Sequence, residues 1–376
     1  MALRLTKITL REIRLTLREP FQISSGLTTD RRILLLELED GDGHSAWSEC
    51  VAGEQPHFSA ETIDTAWLAV KEWIAPRVLG QGVAHPSRLD ERLRSGIRGH
   101  HMARAAVEMG GWALWATRER TSLARLLGGT RDTVATGISI GIQDTPDALV
   151  QKAQTALAAG YRKIKIKIRP GADIEYVAAV REALGPDAPL MADANCAYTL
   201  SHSDHLADLD PFQLMMIEQP LAYDDLRRHA QLQDLIATPI CLDESITSVE
   251  RAEDMLAFGS GRIINIKAGR VGGFAQAKAI HDLCRRSAVP VWCGGMLESG
   301  IGRAYNVALA SLSHFTLPGD VSPSRRYWSQ DIITPEWTMD AEGRVAVPID
   351  RPGIGVEVDR DRVDDLTVRS ETVATG

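Results

Sequence analysis

From about residue 133 the chain alternates short apolar runs with longer amphipathic stretches. The runs occur in ATGISIGI, YRKIKIKI, LMADAN, LMMIEQP, PICLDES, RIINIKAG, VPVWCGG and FTLPGD. Runs of this length, separated by helical patterns, mark buried parallel strands joined by crossover helices. Eight runs and seven intervening helices predict an α/β fold, a (β/α)7β TIM-like barrel, over 131–330. Residues 1–130 read as an α+β unit. Alternating strands over Leu5 to Leu17 and Arg32 to Glu39 run into the turn Asp40-Gly-Asp-Gly43, and His101 to Met109 carries small and apolar residues at helical spacing. The tail, 331–376, shows no helix of the barrel kind and is expected to pack back on the first unit.

Length and composition agree with two units. A barrel of this kind commonly takes ~250 residues, which leaves roughly a hundred or more of the 376 for the rest. Hydrophobic residues are 44% and charged residues 24% of the chain, ordinary for a globular protein with a large core. No stretch approaches the ~20 apolar residues of a membrane span. The N-terminus alternates apolar and charged positions as a half-buried strand does, so no signal peptide is read there. A net charge of -8 favours neither nucleic acid nor an anionic membrane as partner. Five widely spaced cysteines without a CxxC pair suit a reducing cytosol better than a disulfide scaffold or a zinc site. A cytoplasmic homo-oligomer is expected.

The charges at the ends of the strands change the picture most. Lys167, Asp193, Glu218, Asp243 and Lys267 each end an apolar run, at intervals of 26, 25, 25 and 24 residues, one βα unit each. Any one of them is readable as a strand-end charge reaching solvent, or, for Glu218, as a helix cap. All five in period converge on the C-terminal mouth of the barrel, where active sites on this fold lie. Charges at such positions have a desolvation cost and need partners or a metal.

Asp193, Glu218 and Asp243 supply three hard oxygens, which suits Mg2+, with Mn2+ able to substitute. No His or Cys joins them at a matching strand end, which argues against zinc. Glu244 neighbours Asp243, but strand alternation points it the other way, and it is left out of the ligand set. In Lys163-Ile-Lys-Ile-Lys167 the same alternation sends three lysines into the barrel and the isoleucines toward the outer helices. For Lys163, lowest in the strand, a structural ion pair or a solvent path is expected. Lys267, four strands round the ring from Lys167, flanks the site from the opposite side. A dication and a second ammonium both lower a lysine pKa, so one lysine is expected to be neutral and act as base while the other returns the proton.

At these residues the chain resembles the enolase superfamily, muconate-lactonising subgroup, and within it the o-succinylbenzoate synthase / N-succinyl- (N-acyl-) amino acid racemase family. The resemblance spans nearly the whole chain. It is carried by Lys165-Ile-Lys167, Asp193-Ala-Asn195, Ile217-Glu-Gln-Pro220, Cys241-Leu-Asp-Glu-Ser245, Ile264-Asn-Ile-Lys267 with Arg270-Val-Gly-Gly273, and Trp292-Cys-Gly-Gly-Met-Leu-Glu-Ser-Gly300. Each is weak alone; the ordered set is specific. The resemblance implies that the first unit caps the barrel, that Asp193, Glu218 and Asp243 hold Mg2+, and that Lys167 and Lys267 are the acid/base pair. Lys165 and Asn195 are implied to hold the carboxylate of a small-molecule substrate. Ser139, Gly295 and Met296, near the ends of strands one and seven, are candidate contacts for a succinyl arm, although glycine there also serves a turn. Arg270 is a candidate for tuning Lys267, or a surface arginine capping a helix. Phe21-Gln-Ile-Ser-Ser-Gly26 matches the specificity loop of the capping domain, or is an ordinary hairpin. One departure is Ala268, where many relatives carry proline.

The family's two reactions, dehydration to 2-succinylbenzoate and racemisation of N-succinylamino acids, share one enediolate. Muconate cycloisomerase and dipeptide epimerase share the metal and lysines and stand as alternatives. A mandelate racemase-like base is disfavoured, because VPVWCGG carries no histidine. A non-catalytic binding barrel is the alternative of a different class, and opposed lysines argue against it.

Overall fold

The computed structural model describes residues 2–24 and 26–375. Its first sheet is an antiparallel meander of β1 (Leu3–Ile23), β2 (Gly26–Asp40) and β3 (Ser45–Cys50). The C-terminal strand Thr367–Ala374 adds to its edge, pairing with β1 in a register that sets Lys7 opposite Ala374 and Leu10 opposite Glu371. The long helix α1 (His101–Arg118) crosses the sheet. Its small residues allow a close approach: a Cβ at Gly110 would meet Leu38 at 2.6 Å. Glu61 accepts hydrogen bonds from the free amides of Met102 (2.8 Å) and Ala103 (3.1 Å) at the start of α1, where negative charge is favourable.

The second sheet is parallel and curls in chain order: β4 (Ile138–Ile140), β5 (Ile164–Lys167), β6 (Leu190–Asp193), β7 (Ile217–Glu218), β8 (Ile240–Leu242), β9 (Ile263–Ile266) and β10 (Val291–Cys293). Several helices that follow these strands start on side-chain caps: Thr145, Asp225, Ser248 and Ser299 each accept from an amide of their own helix's first turn. Ile164, Ile166 and Ile168 are buried in the main core. Met191, Met216, Cys241, Ile263 and Trp292 form a separate cluster on the lysine side, with Lys165 paired in register to Met191.

The expected eighth strand is not a strand. Phe315 and Gly319 make isolated parallel bridges, to Val291 on β10 and to Thr136 just before β4, and these span the gap in the ring. Pro318 interrupts the ladder because it has no amide to donate. The seam is held instead by Gly137 N to Gly319 O (2.6 Å) and Asp320 N to Cys293 O (2.8 Å). In the tail, Arg344–Ala346 pairs with Thr133–Ala135, and the helix Arg360–Leu366 leads into the strand on the first sheet. Among the described residues no helix is long and apolar enough to cross a membrane.

Candidate active site

Parallel register brings the strand-end charges together. Lys167, Asp193 and Glu218 are in direct register on β5, β6 and β7, and Asp243 follows the end of β8. All four are buried. Lys165 Nζ lies 3.3 Å from Asp193 Oδ2, 3.2 Å from Glu218 Oε2 and 2.6 Å from Asp320 Oδ2. Lys167 Nζ lies 2.5 Å from Asp193 Oδ2 and 2.6 Å from Asn195 Oδ1. Lys267 Nζ lies 2.7 Å from Asp243 Oδ2, and Arg270 Nη1 donates to the other oxygen of that carboxylate.

Burial raises Glu218, and the negative charges of Asp193 and Asp243 add to it, so its carboxyl is pushed up to about 7. Burial also raises Asp193, but Lys167 and Lys165 outweigh it and hold that carboxyl far below the usual range. Three crowded carboxylates form an all-oxygen donor set whose mutual repulsion a hard dication relieves, so the donor chemistry fits one. The side chains, however, are set as ion pairs. Among the described residues, no three His, Cys, Asp or Glu side chains stand in a metal-holding arrangement, the carboxylate oxygens being turned toward the lysines and Arg270.

Burial lowers Lys163. Lys267 differs. Burial pulls that ammonium down, but Asp243, Glu218 and Glu244 outweigh it and keep it above the ordinary lysine value. Lys165 is likewise held well above, chiefly by Asp320 against its burial. Lys163 resolves as a buried ion pair, 3.2 Å from Asp320 Oδ1 with its Nζ 3.3 Å from the centre of the Trp292 ring.

A cavity of about 360 Å3 lies between the first unit and the barrel mouth. Lys167, Asn195, Lys267, Gly295 and Met296 line it from the barrel; Phe21, Ile23, Leu27 and Phe58 are among those lining it from the other side. Lys165 and Ser139 are buried and are not among the lining residues. The Phe21 to Gly26 segment is the tip of the β1–β2 hairpin, with Ile23 paired to Gly26; Ser25 lies outside the described residues. Ser24 Oγ donates to the Asn195 carbonyl at 3.1 Å. Arg270 is buried, not on the surface, and also donates to the carbonyls of Ile246 (2.7 Å) and Asn265 (2.6 Å).

Three residues enter that the strand reading left out or missed. Glu244 is buried and accepts from Asn195 Nδ2 at 3.0 Å, because β8 ends at Leu242 and strand alternation no longer governs position 244. Asn265 donates to Glu218 Oε1 at 2.7 Å; the readable signal was a polar residue two before Lys267, on the same strand face. Asp320 joins Lys163 and Lys165 from the irregular eighth segment, which has no strand pattern to announce it.

Residues 5–128 match the family model "Mandelate racemase / muconate lactonizing enzyme, N-terminal domain", and residues 148–362 match "Enolase C-terminal domain-like". An o-succinylbenzoate synthase of Geobacillus kaustophilus is 49% identical over 367 residues, 98% of this chain and 97% of that one. An N-succinylamino acid racemase of Amycolatopsis sp is 42% identical over 365 residues, 97% of this chain and 98% of that one. A crystal structure of an enolase superfamily member from Listeria innocua superposes with a TM-score of 0.95 at 39% identity, covering 99% of both chains.

Proposed function

The chain belongs to the mandelate racemase / muconate lactonizing enzyme family of the enolase superfamily, and from that premise we propose roles for its residues. The enzyme removes the proton alpha to a carboxylate through an enediolate, as o-succinylbenzoate synthase, as N-succinyl- or N-acylamino acid racemase, or as both. The observation that carries the residue roles is that Lys167 and Lys267, four strands apart, line one cavity together with Asn195. Lys167 takes or returns the proton on one face of the substrate's α-carbon and Lys267 on the other. Asn195, at the cavity, orients the substrate carboxylate, and Lys165 beneath supplies positive charge to it.

Asp193, Glu218 and Asp243 would hold the divalent metal of the family, Mg2+ with Mn2+ as substitute. When bound it supplies the positive charge that stabilises the enediolate and offsets the carboxylates that hold Lys267 up. In dehydration Lys167 performs both proton transfers and Lys267 acts as a cation; in racemisation the two alternate. Residues 1–130 serve as the cap over the cavity, 131–330 as the catalytic barrel and 331–376 as the return strap.

Assay of both reactions tests the reading. Turnover of the cyclohexadiene precursor of 2-succinylbenzoate, or interconversion of N-succinylamino acid enantiomers, is expected. Lys267→Ala is expected to end racemisation while Lys167 still exchanges the α-proton of one enantiomer in D2O. Exchange of both enantiomers at wild-type rates in Lys167→Ala and in Lys267→Ala overturns the two-lysine assignment.

A further inference from the structure

Lys167 and Lys267 are each paired to a barrel carboxylate, and Lys267 is also held from the first unit. Lys167 is fixed by Asp193 and Asn195, both from the barrel. On that side the first unit meets backbone: Ser24 donates to the carbonyl of Asn195, and the Gln22 carbonyl accepts from the amide of Ile142 at 2.9 Å. On the other side the first unit reaches the lysine itself. Phe58, in the loop after β3, sets its ring 4.3 Å from Lys267 Nζ. An ammonium over an aromatic face is attracted by the ring quadrupole and gives up freedom to move.

The chain just beyond Lys267 is seated on the same unit. The short helix α2 (Ala268–Val271) packs on α1, and a Cβ at Gly269 would run into the side chain of Val51. Gly273 has φ +120, and a Cβ there would run into the Glu108 carboxylate. That carboxylate, fully buried on α1, accepts from the amides of Phe274 (2.8 Å) and Ala275 (3.1 Å), the first two residues of α3 (Phe274–Arg286). Trp112 Nε1 holds Glu108 at 2.7 Å from one turn along α1. The glycines at 269 and 273 therefore let the first unit come down directly on the segment that follows the lysine. Glu108 then pins the far end of that segment, and Phe58 covers the near end.

We propose that Phe58 and Glu108 are positioning residues for Lys267 and not for Lys167, so that the capping unit controls proton transfer on one face of the substrate only. The inference rests on the two-lysine reading above. Neither residue exchanges a proton with substrate. Phe58 restrains the ammonium, and Glu108 fixes the backbone from which the lysine projects. Loosening either slows the Lys267 face and leaves the Lys167 face in its own barrel-held geometry.

The test is α-proton exchange of N-succinyl-L-phenylalanine and N-succinyl-D-phenylalanine in D2O, followed by NMR with the full-length enzyme in Mg2+. Lys267→Ala identifies the enantiomer whose exchange depends on Lys267. Phe58→Leu, read at saturating substrate so that changed binding at the cavity wall does not enter, is expected to slow exchange of that enantiomer roughly 2- to 5-fold relative to the other. Glu108→Ala is expected to slow it about tenfold or more, with the other enantiomer spared, and Glu108→Gln, which keeps an acceptor for the Phe274 amide, to recover most of the loss. Phe58 is part-exposed on a loop, so its variant decides the matter if Glu108→Ala fails to fold by circular dichroism. Equal slowing of both enantiomers in Phe58→Leu, or no slowing of either, overturns the inference while leaving the two-lysine reading intact. A wild-type enzyme that exchanges neither enantiomer removes that reading, and the inference with it.

Discussion

Lys267 and Arg270 divide one buried carboxylate between them: the lysine Nζ stands 2.7 Å from Asp243 Oδ2 while the guanidinium takes Oδ1. Arginine thereby limits how much of Asp243 is available to hold the lysine, and it anchors the carboxylate to the backbone at Ile246 and Asn265. Arg270→Ala should lower racemisation by at least about tenfold, because an uncompensated Asp243 then binds Lys267 more tightly. Dehydration, which needs Lys267 only as a cation, should suffer less. Arg270→Lys should recover little, since a lysine cannot span all three acceptors. A parallel fall in the two reactions would refute the coupling between these side chains.

Metal removal addresses the carboxylates directly. Chelation with EDTA should abolish activity, and Mg2+ or Mn2+ should restore it. Asp243→Asn should weaken metal affinity, read by titration calorimetry, together with turnover, while the circular dichroism spectrum stays that of the wild type. Full activity in thoroughly metal-stripped enzyme would contradict the three-carboxylate site.

Asp320 compensates two buried ammoniums at once, Lys165 at 2.6 Å and Lys163 at 3.2 Å. Asp320→Asn removes the charge and keeps the shape. It should cost about 3–5 kcal/mol of stability in urea unfolding, because Lys163 loses the carboxylate it pairs with in a low-dielectric interior and Lys165 keeps only Asp193 and Glu218. Lys163→Met should cost much less. Its side chain still packs on Trp292, and Asp320 keeps Lys165. A larger loss for Lys163→Met than for Asp320→Asn would reverse this account.

Glu108 sets a pH dependence of stability. Burial raises its carboxyl, against the hydrogen bonds from Phe274, Trp112 and Ala275 that lower it, to about 8. Its folded value thus exceeds the ordinary 4.5, and the folded state holds the proton more tightly. The corresponding stability is full below about pH 4.5 and is lost as pH rises through about 8. The wild-type Tm should therefore fall between pH 5 and 8.5 more steeply than that of Glu108→Gln, in which no proton is released. Identical slopes in the two proteins would show that Glu108 does not titrate in this window.

The barrel and the main charges of its mouth were legible because their signals are local and repeat. A strand shows its two faces with a period of two residues, and a βα unit recurs about every 25 residues, so Lys167, Asp193, Glu218, Asp243 and Lys267 announce themselves without any coordinates. Asn265, two residues before Lys267 on the same strand face, carried the same kind of signal and was nevertheless missed. The pattern failed where strand geometry stops. Pro318 breaks the eighth segment into isolated bridges, and position 244 lies beyond the end of β8.

What only the tertiary structure decided are the pairings between charges far apart in the chain. Asp320 neutralises lysines on the opposite side of the ring seam, Arg270 shares Asp243 with Lys267, and Glu108 reaches the amide of Phe274, 166 residues away. Composition and periodicity fix which face a side chain takes, because backbone geometry dictates that residue by residue. They do not fix which buried charge meets which, because that depends on how two separately folded layers come down on each other, and the cost of an unpaired charge is settled only when they do.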